Sequence, residues 1–379
     1  MDPLAHALFG AALAKSSLGR RSAMSAGALV IGSVAPDMDT LAWLIGGREA
    51  WLKVHAGLSH SPFGLLLLGL ALVPLLRWVE REFFRPSSVF SAGGRPGTCA
   101  VATIVGLLSH VPLDLLTDHG ARPWTPFSEA WVRWDLVYPS DPWLWLIFGG
   151  TAALAGKRTA RGSVLLVGAA LLGWLGVLQH TEAPTWLRWV FPAACVLLAW
   201  LRAADVGRKH ANRTLRHAAG LTFLYLCLLA SGRSVAWARA AVALDQSAPG
   251  AVILSAHPRF GTPLAWSLFA RSGQRLLEVR VRWGAEPELL DLAQTPGHPL
   301  VRTAMRLEQS ATWRKTARLP LGTVEPEPDG SAWVELRDAA EAGRPWDEAL
   351  RWRYRFPPEE VSRIQRMFEE EARLRGRGE

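Results

Sequence analysis

Residues 106–120, GLLSHVPLDLLTDHG, read as an apolar helix that carries His110, Asp114 and Asp118 at four-residue steps. At about 100° per residue these side chains form one polar stripe on a surface otherwise made mostly of Val, Leu and Pro. Ionisable groups in such a setting are costly unless they pair or bind an ion. A His and an Asp at i, i+4 can present a nitrogen and a carboxylate to one metal. They can equally make an ordinary buried hydrogen bond inside a helix bundle, so the choice falls to the rest of the chain.

Outward from that helix the sequence is a series of apolar runs. In a chain of 379 residues, 50% are hydrophobic and only 20% are charged, and the charges are unevenly placed. Residues 3–19, 22–36, 61–79, 99–117, 142–156, 163–180, 187–203 and 217–235 are candidate spans, some shorter than the ~20 residues a full crossing requires. Six to eight crossings are expected. The first run starts at residue 3 with no basic leader and contains His6, which argues against a cleaved signal peptide.

The net charge of +9 raises the question of a nucleic-acid partner. Yet many of the basic residues fall in alternate breaks: Arg20 and Arg21; Arg81 and Arg85; Lys157, Arg158 and Arg161; Arg202, Arg208, Lys209, Arg213 and Arg216. That is the positive-inside pattern of a multi-pass membrane protein, and no nucleic acid is expected. Cys99, Cys195 and Cys227 are scattered through apolar runs and read as packing residues.

Against that topology the ionisable residues sort by side. His6 lies near the outer end of the first run. The second run reaches Pro36-Asp37-Met38-Asp39, where Pro36 should break the helix at Ala35. Two close carboxylates repel each other, which a divalent cation or full solvation relieves. His55 and His60 precede the run that begins at Pro62, and the simplest account of both is a helix start capped by Ser59 or Ser61. The loop 87–97, SSVFSAGGRPG, lies on the basic side. His110, Asp114, Asp118 and His119 then rise to the outer face. Trp43 and Trp51 suit an interfacial belt; Trp124, Phe127, Trp131 and Trp134 line an approach to the site or lie in the lipid interface. Asp135 and Asp141 are carboxylates within reach, although Asp141-Pro142 also reads as a plain helix start.

Scattered structural histidines have no reason to gather at one side. The convergence of these groups at the outer ends of their runs therefore favours a clustered metal site over isolated buried pairs. His180, Glu182, His210 and His217 lie outside that cluster, and no chemistry is assigned to them.

Beyond about residue 240 the chain reads as soluble protein. Residues 274–283, 332–337 and 350–356 alternate as strands, and Val361, Ile364, Phe368 and Ala372 mark a helix after Pro357-Pro358. The fold class is mainly α: a polytopic helical membrane bundle followed by a small β-rich (α+β) domain. The domains expected are 1–158, with the candidate site, 159–238, additional transmembrane helices, and 239–379, a soluble domain outside the cytoplasm if the number of crossings is even.

The motifs MDPLAH at 1–6, APDMD at 35–39, HAGLSHSPFG at 55–64, HVPLDLLTDHGARPWTPFS at 110–128 and the later Asp141-Pro142 resemble the YdjM-like family of bacterial inner-membrane proteins, described as metal-dependent hydrolases. The likeness covers residues 1 to about 150; further on only RFGTPLAW at 259–266 is similar. The family is thought to be remotely similar to zinc-dependent phospholipase C. That resemblance implies His6, Asp37, Asp39, His60, His110 and Asp114 as metal ligands. His119 stands where the family has a different side chain, and the Glu ligand of the remote relatives has no counterpart.

Nitrogen and oxygen ligands without thiolates suit zinc, manganese or iron. In this reading His6, His60, His110 and Asp114 hold metal. Asp37 or Asp39 bridges ions or orients water, and His55 serves as general acid or as a donor behind the ligands. The expected partner is a membrane lipid or a lipid-linked phosphoester; a protein partner of the C-terminal domain is undefined. The competing classes are a non-enzymatic scaffold whose soluble domain binds a partner and, less favoured because the ionisable groups gather at one face, a transporter.

Overall fold

The computed structural model describes residues 1–22, 24–83, 97–292, 298–342, 344 and 351–375. Arg85, most of the loop 87–97 and Leu350 lie outside the described residues, as do the side chains of Lys209 and Ala372. The chain is mainly helical, with two small antiparallel sheets in its C-terminal region.

Contacts divide it into two units. The first comprises Met1–Ile45, Val54–Ala236 and His257–Trp266; the second comprises Gly46–Lys53, Trp237–Ala256 and the described part of Ser267–Glu379. In the first unit, helix α1 (Pro3–Leu13) starts at Asp2, whose side chain accepts the Ala5 N–H. Helix α2 (Ser25–Val34) runs into a 3₁₀ turn, Ala35–Leu41. The α-helix ends before Pro36 as the sequence suggested, but Ala35 keeps right-handed helical angles (φ −56°, ψ −36°), so the chain tightens into a 3₁₀ turn and does not become extended. Helix α3 (Ala42–Val54) is interrupted at Gly47, whose φ of 65° few residues but glycine adopt. Helices α4 (Pro62–Phe83), α5 (Thr98–Leu115), α6 (Pro142–Ala155), α7 (Ala160–Gln179), α8 (Leu187–Ala203) and α9 (Ala211–Ser247) follow.

Among the described residues five helical stretches are long and apolar enough to cross a membrane: Ser25–Val54, Pro62–Phe83, Thr98–Leu115, Ala160–Gln179 and Ala211–Ser247. That is fewer than the six to eight expected. The difference is length: α1 has 11 residues, α6 has 14 and α8 has 17, each below the ~20 residues of a full perpendicular crossing. Helix α9 runs the other way, extending to 37 residues where a span of 217–235 was expected.

Helices α2 and α5 pack most closely because both are glycine at the crossing. A Cβ on Gly32 would lie 2.6 Å from the Thr103 carbonyl oxygen, and one on Gly106 would lie 2.7 Å from that of Leu29. Small residues that let backbones meet are a principal means of holding helices together in lipid.

In the second unit β1 (Val252–Arg259), β2 (Thr262–Ser272), β3 (Arg275–Arg282) and β4 (Glu288–Leu292) pair in sequence order, β1 and β2 contributing their facing ends to the first unit. A separate sheet, β5 (Pro320–Pro326), β6 (Ala332–Asp338) and β7 (Trp352–Phe356), is antiparallel, with Val334 opposite Val324 and Tyr354. Val334, Leu336, Trp352 and Phe356 form a core with Val361 and Ile364 of a closing helix, Pro358–Arg375. Trp283, the last residue of the alternating run 274–283, falls past the end of β3 and is exposed.

Gly106→Ala should destabilise the bundle by about 1–3 kcal/mol through overpacking. Gly168→Ala on α7, where a Cβ meets nothing within 4 Å, should leave stability unchanged or raise it by up to ~1 kcal/mol. Thermal unfolding of both variants in one detergent measures the difference.

Candidate metal centre

The crossing of α2 and α5 sets the position of His110. Its Nδ1 lies 2.7 Å from the carbonyl oxygen of Ser33, so in the neutral ring the proton sits on Nδ1 and the Nε2 lone pair faces inward. The Ser33 hydroxyl donates to the His6 carbonyl oxygen at 2.9 Å, tying α1 to the same point. The His6 ring stacks on His110 with centroids 3.7 Å apart.

His60 enters from the 3₁₀ turn Leu58–His60. Its Nδ1 lies 2.8 Å from the Ser59 hydroxyl, which donates to Asp39 Oδ2 at 3.1 Å. With that hydroxyl proton committed to Asp39, His60 Nδ1 is the donor, and its Nε2 lone pair also points inward. Thus His60 and His110 aim Nε2 atoms at one another across 3.0 Å. Asp114 Oδ2 lies 3.0 Å from His110 Nε2 and 3.3 Å from His60 Nε2. Asp37 Oδ1 lies 3.5 and 3.8 Å from the same two nitrogens. His6 Nε2 is 3.0 Å from Asp114 Oδ1, which the Met1 amino group also contacts.

Two overlapping groups result whose ligand atoms all lie within 4.8 Å of each other: His6, Asp37 and His110, and His60, His110 and Asp114. All five residues are buried. Among the described residues, His6 Nδ1 and Asp37 Oδ2 are buried without a hydrogen-bond partner, and Asp114 Oδ2 makes no well-formed hydrogen bond although it lies against the His110 and His60 nitrogens. Lone pairs gathered in this way repel unless positive charge lies among them; the Met1 ammonium supplies some at Asp114, and ring protons or a metal ion can supply the rest. Burial alone would lower the His60 pKa, but the carboxylates of Asp114 and Asp37 outweigh it and leave it raised. The donor set of imidazoles and carboxylates, buried and with polar atoms left unpartnered, fits a divalent cation.

Asp39 and His55 stand apart from both groups. Asp39 accepts the Ala56 N–H at 2.8 Å and the Ser59 hydroxyl, and its Oδ1 meets His55 Nδ1 at 3.3 Å. It therefore orients His60 and His55 from behind. His55 Nε2 faces His119 Nε2 at 3.1 Å. Burial, with His55 beside it, holds the His119 pKa well below its ordinary value.

The three-member stripe read from 106–120 does not persist. Helix α5 ends at Leu115, and Thr117 folds back to the Asp114 carbonyl oxygen through both its N–H and its hydroxyl. Asp118 consequently turns away and pairs with His257 at 2.9 Å, both buried. His257 was missed in the sequence, its only signal being its place two residues before the RFGTPLAW stretch. Ser61 caps α4 by accepting the Gly64 N–H, whereas Ser59 serves the cluster. Asp141 caps α6, accepting from Trp143 and Leu144 and from the Tyr225 hydroxyl, and Asp135 is buried outside both groups. Trp131 lies under the Arg133 guanidinium at 4.4 Å, while Trp124, Phe127 and Trp134 are exposed. His180 bonds the Tyr138 hydroxyl at 2.7 Å, and Glu182 pairs with Arg259.

Apolar helices of crossing length together with a buried His/Asp cluster define a multi-pass membrane protein with side chains that could hold a metal ion. A family model described as YdjM inner membrane protein matches residues 1–206, more than half of the chain. The chain belongs to that family and is a multi-pass inner-membrane protein. It is also similar to the uncharacterized protein YfhP of Bacillus subtilis (strain 168), 26% identical over 119 residues, 31% of this chain and 33% of that relative. The match thus spans about a third of YfhP. No solved structure matches the chain.

Elemental analysis of detergent-purified protein should find stoichiometric divalent metal, lost in both His110→Ala and Asp37→Ala. Asp39→Asn should retain the site but weaken affinity about 10–100-fold, the usual cost of losing a residue that orients a ligand. His257→Ala should keep wild-type metal content.

Proposed function

We propose that the chain is a membrane-bound, metal-dependent hydrolase that cleaves a phosphoester of a lipid or lipid-linked substrate. One observation carries the reading: buried imidazoles and carboxylates from separate stretches bring ligand atoms within 4.8 Å of one another, and three of their polar atoms are left without a hydrogen bond. His6, His60, His110, Asp37 and Asp114 would hold the ion or ions, with zinc, manganese and iron all compatible with the donors. A bound divalent cation supplies acidified water and stabilisation of charge on a phosphoryl oxygen.

The chain's own residues supply the remaining parts. Asp39 fixes His55 through Nδ1, and Nε2 meets His119 Nε2, a line along which a proton can pass with His55 as general acid or base. His119 completes that line at 3.1 Å. Arg122 holds the segment in place by donating to the His55 carbonyl oxygen at 2.6 Å. Exposed Trp124 and Phe127 follow on the loop that Arg122 anchors, and they favour a substrate with an apolar part.

The alternating basic breaks favour the extracytoplasmic face for the cluster. Helix α9 begins at the basic segment around Arg213 and is long enough to cross, which favours the same face for the C-terminal domain. Residues 1–158 would carry the chemistry, 159–238 add transmembrane helices, and 239–379 form the soluble domain.

The test is turnover of phospholipids and polyprenyl phosphates by purified protein loaded with zinc or manganese. His55→Ala should lower kcat about 10²–10⁴-fold with metal content intact, the range for loss of a general acid or base. His110→Ala should abolish both. Intact substrates with every metal, or a stable wild type that binds no metal, would reject the hydrolase reading in favour of a scaffold.

A further inference from the structure

The face of α9 that bears Arg213, His217, Leu221, Leu224 and Leu228 follows helical spacing, with His210 just before it. Together with α6 and α8 this face bounds a groove of about 830 Å³, within the range of sites that hold small molecules. Leu154 and Leu198 form part of its opposite wall. The lining is apolar along most of its length and basic at one end, where His210, Arg213 and His217 gather; among the described residues no Asp or Glu lines it.

Two further observations specify an occupant. Only 6% of the most apolar stretch of α9 is buried, so this helix leaves its groove face without protein cover among the described residues. Arg213 and His217 are exposed and make no ion pair among the described residues, while the nearby carboxylate of Asp205 is taken by Arg158 and Arg208. An apolar gap between membrane helices is filled by hydrocarbon, and unpaired basic groups at its end attract an anion.

We propose that this groove binds an anionic phospholipid, its acyl chains along Leu221, Leu224 and Leu228 and its phosphate at Arg213 and His217. The site is separate from the metal cluster, to which α6, α8 and α9 contribute no ligand among the described residues, and does not depend on the hydrolase reading.

The test is native mass spectrometry of the full chain in detergent with added phosphatidylglycerol or phosphatidylcholine. Wild type should retain phosphatidylglycerol under activation that strips phosphatidylcholine. Arg213→Gln combined with His217→Gln should lower retention about tenfold, as expected for losing two basic contacts at a membrane surface. Both positions are exposed, so the fold should survive, and unchanged helicity and metal content check this. Ala218→Trp, which fills the groove, should remove the adduct. Equal retention of both lipids, no change in the double variant, or a lipid-free dimer with α9 at its interface would each overturn the proposal.

Discussion

The contact between α2 and α5 at Gly32 and Gly106 is the constraint on which the candidate site depends. Without side chains at the crossing, the two backbones come close enough for the Ser33 carbonyl oxygen to take the Nδ1 proton of His110. That hydrogen bond sets both the ring's tautomer and its direction. The same residue reaches α1 through its hydroxyl, so one serine places His110 and His6 together. A methyl group at either glycine would separate the helices where sub-ångström changes decide which atoms face each other.

A second anchoring system, built from Asp39, acts on the other side of the cluster. Asp39 spends its oxygens on Ala56, Ser59 and His55, and through Ser59 it directs His60. The residue thus works as a positioning carboxylate, although its spacing from Asp37 made both look alike in the sequence. What separates them is the local backbone: in the 3₁₀ turn Ala35–Leu41 a two-residue step points the two side chains in different directions. Asp37 reaches His110 and His60, and Asp39 reaches the loop that carries His60 and His55.

Much of this was legible because it rests on pattern. Apolar runs punctuated by arginines disclosed the membrane bundle, strand alternation disclosed β3, β6 and β7, and the gathering of His and Asp at one end of their runs singled out most of the residues that the structure brings together. The rest depended on distances that pattern does not carry. Helical periodicity extended the stripe of His110 and Asp114 to Asp118, but Thr117 ends the helix first and Asp118 bonds His257, 139 residues away in sequence. Ser33 is a lone hydroxyl in an apolar helix, and its role lies in a carbonyl group that every residue has. The bounds of the apolar runs were less legible, because hydropathy marks α1, α6 and α8 as apolar without revealing that their helices end after 11, 14 and 17 residues.

The buried His/Asp cluster and many of the bundle's arginines lie at different ends of its helices, Arg122 and Arg133 beside His55 and His119 being exceptions. Histidines and aspartates that accept or share protons gather where α1, α2 and α5 meet the Pro36 and His60 turns, and each has a partner or an inward-facing lone pair. Arginines gather at the opposite ends of the helices, where Arg202 donates to the Gly156 and Lys157 carbonyl oxygens and Arg208 holds Asp205. A permanently charged guanidinium serves well at a headgroup layer but poorly as a metal ligand, since it has no lone pair to give. Neutral imidazole and carboxylate have the reverse properties. The separation therefore follows from the same physics at both ends: each group stands where its charge, or its lone pair, can be satisfied without crossing the hydrocarbon.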